Sequence, residues 1–220
     1  TVNFTGGGAA AAASTAVQVT DDDVMTIVTQ NVPTTVTEDG TVTFQVRLSN
    51  QPDALTAINL QSDDTGAATI TGPLNFDNTN WNTFQDVTIA GVQDDDLLNE
   101  LVNFTLSSPV VDPANNVGFA VDVTDTDTQA IVTNTQTINT TEGLQIVYTV
   151  RLAFDPTNLL VVNLASSDPG AVSLDTGVLN FTSQNWNTPQ NITLTAEADD
   201  DAQDETVSLA HTAAGVPAVN

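Results

Sequence analysis

The chain has 220 residues, 28 acidic side chains against two arginines and no lysine, and a net charge of −26. That balance excludes the basic footprint that nucleic acid and anionic membranes require, and it invites cations. With no cysteine and a single histidine, disulfides, thiolate catalysis, Cys-type zinc sites and imidazole metal clusters are excluded together.

In chain order, residues 2–5 (VNFT) copy residues 102–105. A Gly/Ala-rich run, GGGAAAAA at residues 6–13, carries no chemistry. Residues 16–23, AVQVTDDD, then copy residues 120–127, AVDVTDTD, and this match continues at a constant offset of 104 through residue 70. After one inserted residue the repeat resumes at an offset of 105, where LNFDNTNWNTFQDVTIAGVQDDD faces LNFTSQNWNTPQNITLTAEADDD. One module of about 104 residues therefore occurs twice, and a period of that kind decides architecture before any local propensity does. The organisation expected is an orphan terminal segment at 1–24, a complete module at 25–128 and a second at 129–220 that lacks its last strand.

Between turns rich in Asp, Asn, Gly and Pro, apolar and polar residues alternate with period two, as half-buried strands do. Val42, Phe44, Val46 and Leu48 share one face of a strand, and Ile146, Tyr148, Val150 and Leu152 share the same face of its copy. Strands are predicted at about 25–35 (A), 41–49 (B), 56–61 (C), 67–71 (D), 84–92 (E), 101–107 (F) and 118–124 (G), with a short extended piece at 74–76. Copies follow in the second module. No 3.6 period is sustained and no apolar run is long enough to span a bilayer. The fold class predicted is all-β, a tandem of immunoglobulin-like antiparallel sandwiches.

In such a sandwich the A–B, C–D and E–F loops and the end of strand G meet at one pole. Glu38, Asp39, Asp63, Asp64, Asp94, Asp95, Asp96, Glu100, Asp125 and Asp127 fall there, ten of the fifteen carboxylates in the first module. Clustered carboxylates repel one another unless protonated or bridged, and a hard divalent cation with six to eight oxygen ligands, calcium before magnesium, bridges them best. Plain solvation of an acidic surface is the alternative. Candidate ligands are Glu38, Asp63, Asp64, Asp94, Asp95, Asp96, Asp125 and Asp127 in the first module. In the second they are Glu142, Asp168, Asp199, Asp200 and Asp201, at a pole that also offers Asp204 and Glu205, with Asp21 and Asp23 of an incoming segment standing in for the missing acids after strand G. No EF-hand or nonapeptide calcium motif is present.

TEDG before strand B, LNF and NWN leading into strand E, DDD in the E–F loop and D-x-D after strand G together resemble Calx-β and Calx-β-like repeats. The resemblance spans nearly the whole chain. It implies a seven-stranded sandwich, calcium at the acidic pole through Glu38, Asp94, Asp95, Asp96, Asp125, Asp127, Glu142, Asp199, Asp200 and Asp201, and tandem arrays in bacterial surface or secreted proteins. The second copy departs from the pattern in reading TEG for TEDG.

Other residues have plainer readings. Trp81 and Trp186, both in Asn-Trp-Asn, are expected to cap the core rather than to stack on sugar. Arg47 and Arg151 are expected to pair with an acid across the strand face, and His211 to lie at the surface. Glycosylation sequons occur at Asn3, Asn103, Asn139, Asn180 and Asn191. Catalysis is not expected, because the carboxylates sit on loop tips without an aromatic cleft. The expectation is an extracellular fibre, filament or adhesin stalk at the cell surface, stiffened by Ca2+ and assembled from copies of itself head-to-tail by N-terminal strand donation. A calcium-dependent ligand- or carbohydrate-binding module of a larger secreted protein is the alternative.

Overall fold

The structure is a computed structural model, and it describes residues 16–20, 22–200 and 202–219. Two β-sandwiches follow one another along the chain. In the first, β1 (Ile27–Gln30), β3 (Thr41–Leu48), β7 (Gln85–Gly91) and β5 (Ala68–Ile70) form one sheet in the order β1-β3-β7-β5. Facing it, β2 (Thr35–Thr37), β9 (Val117–Thr124), β8 (Glu100–Ser107), β4 (Thr56–Ser62) and β6 (Leu74–Phe76) run in the order β2-β9-β8-β4-β6.

The predicted strand A is two strands. β1 pairs antiparallel with β3, whereas β2 crosses to the other sheet and pairs parallel with β9. Asn31, at φ 56, turns the chain between them; asparagine is among the few non-glycine residues that tolerate this region. The switch carries the A–B turn onto the edge of β9, and the acidic loops meet there.

Period-two alternation becomes core directly. Phe44, Val46 and Leu48 of β3, Val87 and Ile89 of β7, Val102, Phe104 and Leu106 of β8, and Val121 and Val123 of β9 fill the space between the sheets. Phe119 on β9 meets Phe44 edge-on, centroids 5.2 Å apart, and stacks on Phe104 at 5.6 Å.

The second sandwich repeats this with β10 (Ile131–Thr133), β11 (Gln145–Leu152), β15 (Gln190–Ala196) and β13 (Val172–Leu174) in one sheet. Its other sheet contains β14 (Val178–Phe181), β12 (Leu160–Ser166), β16 (Leu209–Ala213) and β17 (Val216–Val219) in that order. β17 is not a copy of β9; it covers part of the edge of β16. Gly215, at φ 76, makes a tight turn that a β-carbon would strain, and it returns the chain against β16. The cover is short: β17 pairs with β16 only as far as Val219 opposite His211. Beyond that point, residues 205–208 are not strand, although their copies begin β8, and residues 139–141, copies of β2, are not strand either. Among the described residues, neither segment has a strand beside it in the place that β9 takes in the first sandwich.

Candidate functional site

Glu38 follows β2 and has its side chain 3 % exposed, although a lone carboxylate belongs in water. Two glycines explain how it gets there. A β-carbon on Gly91 would lie 2.3 Å from the carbonyl oxygen of Thr37, and one on Gly40 would lie 2.2 Å from Thr37 Oγ1. Only glycine at both places lets the Thr37–Glu38 backbone press against β7. Asp39, at φ 53, then turns the chain into β3. Glu38 N donates to Thr124 O at 3.1 Å and fixes the turn to the end of β9.

The acids around Glu38 come from two places, the end of β9 and the connection from β7 into β8. Its carboxylate groups with Asp125 and Asp127 after β9, and also with Asp94 after β7 and Glu100 at the start of β8; within each group one oxygen per residue lies within 4.8 Å of the others. Glu38 Oε2 accepts from Thr126 N at 3.3 Å, whereas Oε1, and Oε2 of Glu100, are buried with no hydrogen-bond partner. Asp125 Oδ1 accepts from Asp127 N, Asp94 Oδ1 from Asp96 N, and Asp127 Oδ2 from Gln93 Nε2.

No cationic side chain neutralises the cluster. Arg47 lies over the Phe84 ring at 5.2 Å and donates to Leu48 O, and Arg151 donates likewise to Leu152 O. Both contacts replace the carboxylate pairing expected of these arginines. The electrostatic result is visible in the acids. Burial, then the charges of Asp94, Asp96 and Glu38, pushes Glu100 up to about 7. Burial also raises Glu38, opposed by its bond from Thr126, and raises Asp127 together with the charge of Asp125.

Several residues expected at this site serve elsewhere. Asp63 accepts from Asn103 N and Nδ2, both at 2.8 Å, and is held below the usual carboxylate range by that side chain. Asp64 closes its own turn on Gly66 and Ala67, as its copy Asp168 does on Gly170. Asp96 caps Leu98 N, and Asp95 contributes a backbone oxygen to the next module, accepting from Asp155 N at 2.8 Å. Local turn chemistry claims Asp64, Asp96 and Asp168, because Asp bonds readily to an amide two residues on, whereas Asp63 is held across the sheet by Asn103. Glu100 is the reverse case, a cluster member absent from the predicted ligands. The alternation Glu100, Val102, Phe104 places it on the inward face of its strand, and that spacing is its signal.

The acidic pole also lies beside the next module. Gln129, 8 % exposed, donates to Phe154 O and accepts from Phe154 N and Ala130 N. These bonds brace the loop after β11 within the second module, and Asp155 N on Asp95 O ties that loop to the acidic pole of the first.

In the second sandwich Glu142, Asp199 and Glu205 converge within the same 4.8 Å, but all three are exposed. Gly143, at φ 76, replaces Asp39, and Ala196 stands where Gly91 does, so the close approach of the turn is closed off. Asp200 is exposed and outside this group, and Asp23 is exposed near the N-terminus. Asp21 and Asp201 lie outside the described residues.

No family model matches the chain, and no curated protein does. Among solved structures it is similar to domains 4 and 5 of the S-layer protein SbsC, at 22 % identity over 46 % of this chain and 50 % of that one, with a TM-score of 0.30. SbsC domains 1–6 are similar at 17 % identity over 89 % of this chain and 24 % of that one, TM-score 0.35. A Salmonella alpha-2-macroglobulin reacted with methylamine is similar at 9 % identity over 86 % and 16 %, TM-score 0.31. The chain thus spans half or less of the length of each of these three structures.

His211 is not at the surface. It is 4 % exposed, with Nε2 3.0 Å from the Tyr148 hydroxyl. Trp81 and Trp186 are partly buried against the two cores, as expected of capping residues. Among the described residues, no helix is long and apolar enough to cross a membrane.

Proposed function

We propose that this chain is a structural segment of an extracellular fibre or stalk, built of Calx-β-like sandwiches, stiffened by calcium and joined head-to-tail by strand donation. The observation that carries the reading is Glu38: a buried carboxylate whose Oε1 has no partner, aimed at Asp94, Glu100, Asp125 and Asp127. An isolated buried charge costs several kcal/mol unless compensated, and an all-oxygen anionic set with no nitrogen or sulfur donor suits a hard divalent cation. Because Asp95, in the loop that carries Asp94, accepts from Asp155 N of the next module, an ion there restrains the hinge between modules. Glu142, Asp199 and Glu205 form the weaker counterpart in the second sandwich, which Asp21 and Asp23 of an incoming segment complete.

The packed indoles of Trp81 and Trp186 favour a structural role over carbohydrate recognition. Catalysis has no part in this reading.

The test is calorimetric unfolding in excess calcium, in excess magnesium and in EGTA. A ligand bound only to the folded state at a hundredfold excess over Kd adds about 2.7 kcal/mol. Calcium is expected to raise Tm by several degrees and magnesium by less. Superimposable curves in calcium and EGTA would remove the reading.

A further inference from the structure

Among the described residues, one side of the second sandwich has no strand where the first is closed by one. In the first, β9 runs parallel to β2 and antiparallel to β8, and buries Val121 and Val123 completely. In the second, the copies of β2 and of the start of β8 line a groove of ≈ 1100 Å³. Thr140, Glu205, Val207, Leu209, Tyr148 and His211 are on its walls. Val207 is half-buried there, whereas its copy Val102 is fully buried.

The matching strand is present in the same chain and is also uncovered. Residues 16–20, AVQVT, copy residues 120–124, AVDVT, of β9. Val17 and Val19, the copies of Val121 and Val123, are 79 % and 87 % exposed. An apolar pair without cover and an apolar slot without a strand thus share one alternation.

Resting on the head-to-tail reading above, we propose that this groove receives residues 16–20 of a second copy of the chain, with Val17 opposite Val207 and Val19 opposite Glu205. The register is transferred from Val121 opposite Val102 and Val123 opposite Glu100. On its other edge the donor lies parallel to residues 139–141, as β9 lies along β2. β17 does not compete with it, because β17 stops opposite His211 and the donor begins beyond Leu209. Main-chain hydrogen bonds along both edges supply affinity, and the pockets for alternate side chains supply selectivity.

The floor of the groove is polar where that of the first sandwich is apolar: Tyr148 and His211 stand where the first sandwich has Phe44 and Leu106, and their polar atoms meet at 3.0 Å.

Since the chain has no cysteine, disulfide trapping has no background. Gln18→Cys in one chain and Thr206→Cys in another occupy the positions of Asp122 and Leu101, which pair directly in the first sandwich. Opposed residues lie about 4.5–5.5 Å apart between Cα atoms, inside the range a disulfide spans. Mixed under mild oxidation, the two variants are expected to give a covalent heterodimer. Gln18→Cys mixed with Ala210→Cys, four residues out of register, is expected to stay unlinked. The unmodified chain is run alongside by light scattering. Oligomers without the Gln18–Thr206 link would overturn the docking proposal and leave head-to-tail assembly standing, whereas a monomer at every concentration would overturn both. A double variant that links only within one molecule would assign the strand to its own chain and also overturn the proposal.

Discussion

Tyr148 Oη and His211 Nε2 lie 3.0 Å apart inside the second sandwich, at the two positions that Phe44 and Leu106 hold in the first. The phenol oxygen and the Nε2 of the imidazole satisfy each other, and removing either leaves a buried polar atom. His211→Leu alone is expected to destabilise the chain by about 1–3 kcal/mol, while the double change Tyr148→Phe with His211→Leu costs less than the single one. Urea unfolding of the three variants in a double-mutant cycle checks this. Additive losses would mean that the pair is not coupled.

Glu38→Gln separates the cost of the buried charge from its use. The amide keeps the shape and removes the uncompensated charge, so the variant is expected to match or exceed the parent in Tm in EGTA. In calcium the order reverses, since the variant gains little from the ion. Equal calcium responses in parent and variant would exclude Glu38 as a ligand.

Glu100 sets an acid-side trend in chelator. Its folded value of about 7 lies above the ordinary 4.5, so the folded state takes up the proton first. Stability linked to this group is fully present below pH 4.5 and is lost as pH rises through 7. The metal-free chain is therefore expected to gain stability between pH 7.5 and 5, and Glu100→Gln is expected to flatten that slope. Calcium competes with the proton and should invert the trend. Unfolding midpoints at both pH values, with EGTA and with calcium, provide the measurement.

Gly91→Ala tests how the site is built. The new methyl would fall 2.3 Å from Thr37 O, which is backbone and cannot swing away. An overpacking loss of about 1–3 kcal/mol is expected, together with loss of the calcium response as Glu38 is displaced. Ala196→Gly, at the corresponding place in the second sandwich, is expected to cost no more than about 1 kcal/mol. Paired melting curves distinguish the two.

How much of the site could be read from the sequence differs residue by residue. The convergence of Glu38, Asp94, Asp125 and Asp127 follows from topology, because loops at one end of a sandwich must meet. The acids at 63, 64 and 168 occupy the same end, yet each is claimed by a nearby amide. Nothing in a run of aspartates says which will close a turn and which will reach across it. Glu100 was legible through its inward phase on strand F, a signal overshadowed by the DDD run before it.

The sequence alone determined the two sandwiches and nearly every strand. A period of two along each strand and a period of about 104 residues along the chain can be satisfied only by repeating one antiparallel core. It also placed the acids at one pole. Tertiary structure decided which polar groups are buried. Glu38 is inside because Gly91 has no side chain and β2 changes sheets to lie along β9, and His211 is inside because Tyr148 lies across from it. It also decided where strand gives way to irregular chain, since 139–141 and 205–208 have strand-forming copies in the first sandwich yet pair with no strand among the described residues. Alternation records which face of a strand is apolar. Whether that face is covered depends on a partner that pairs from far along the chain.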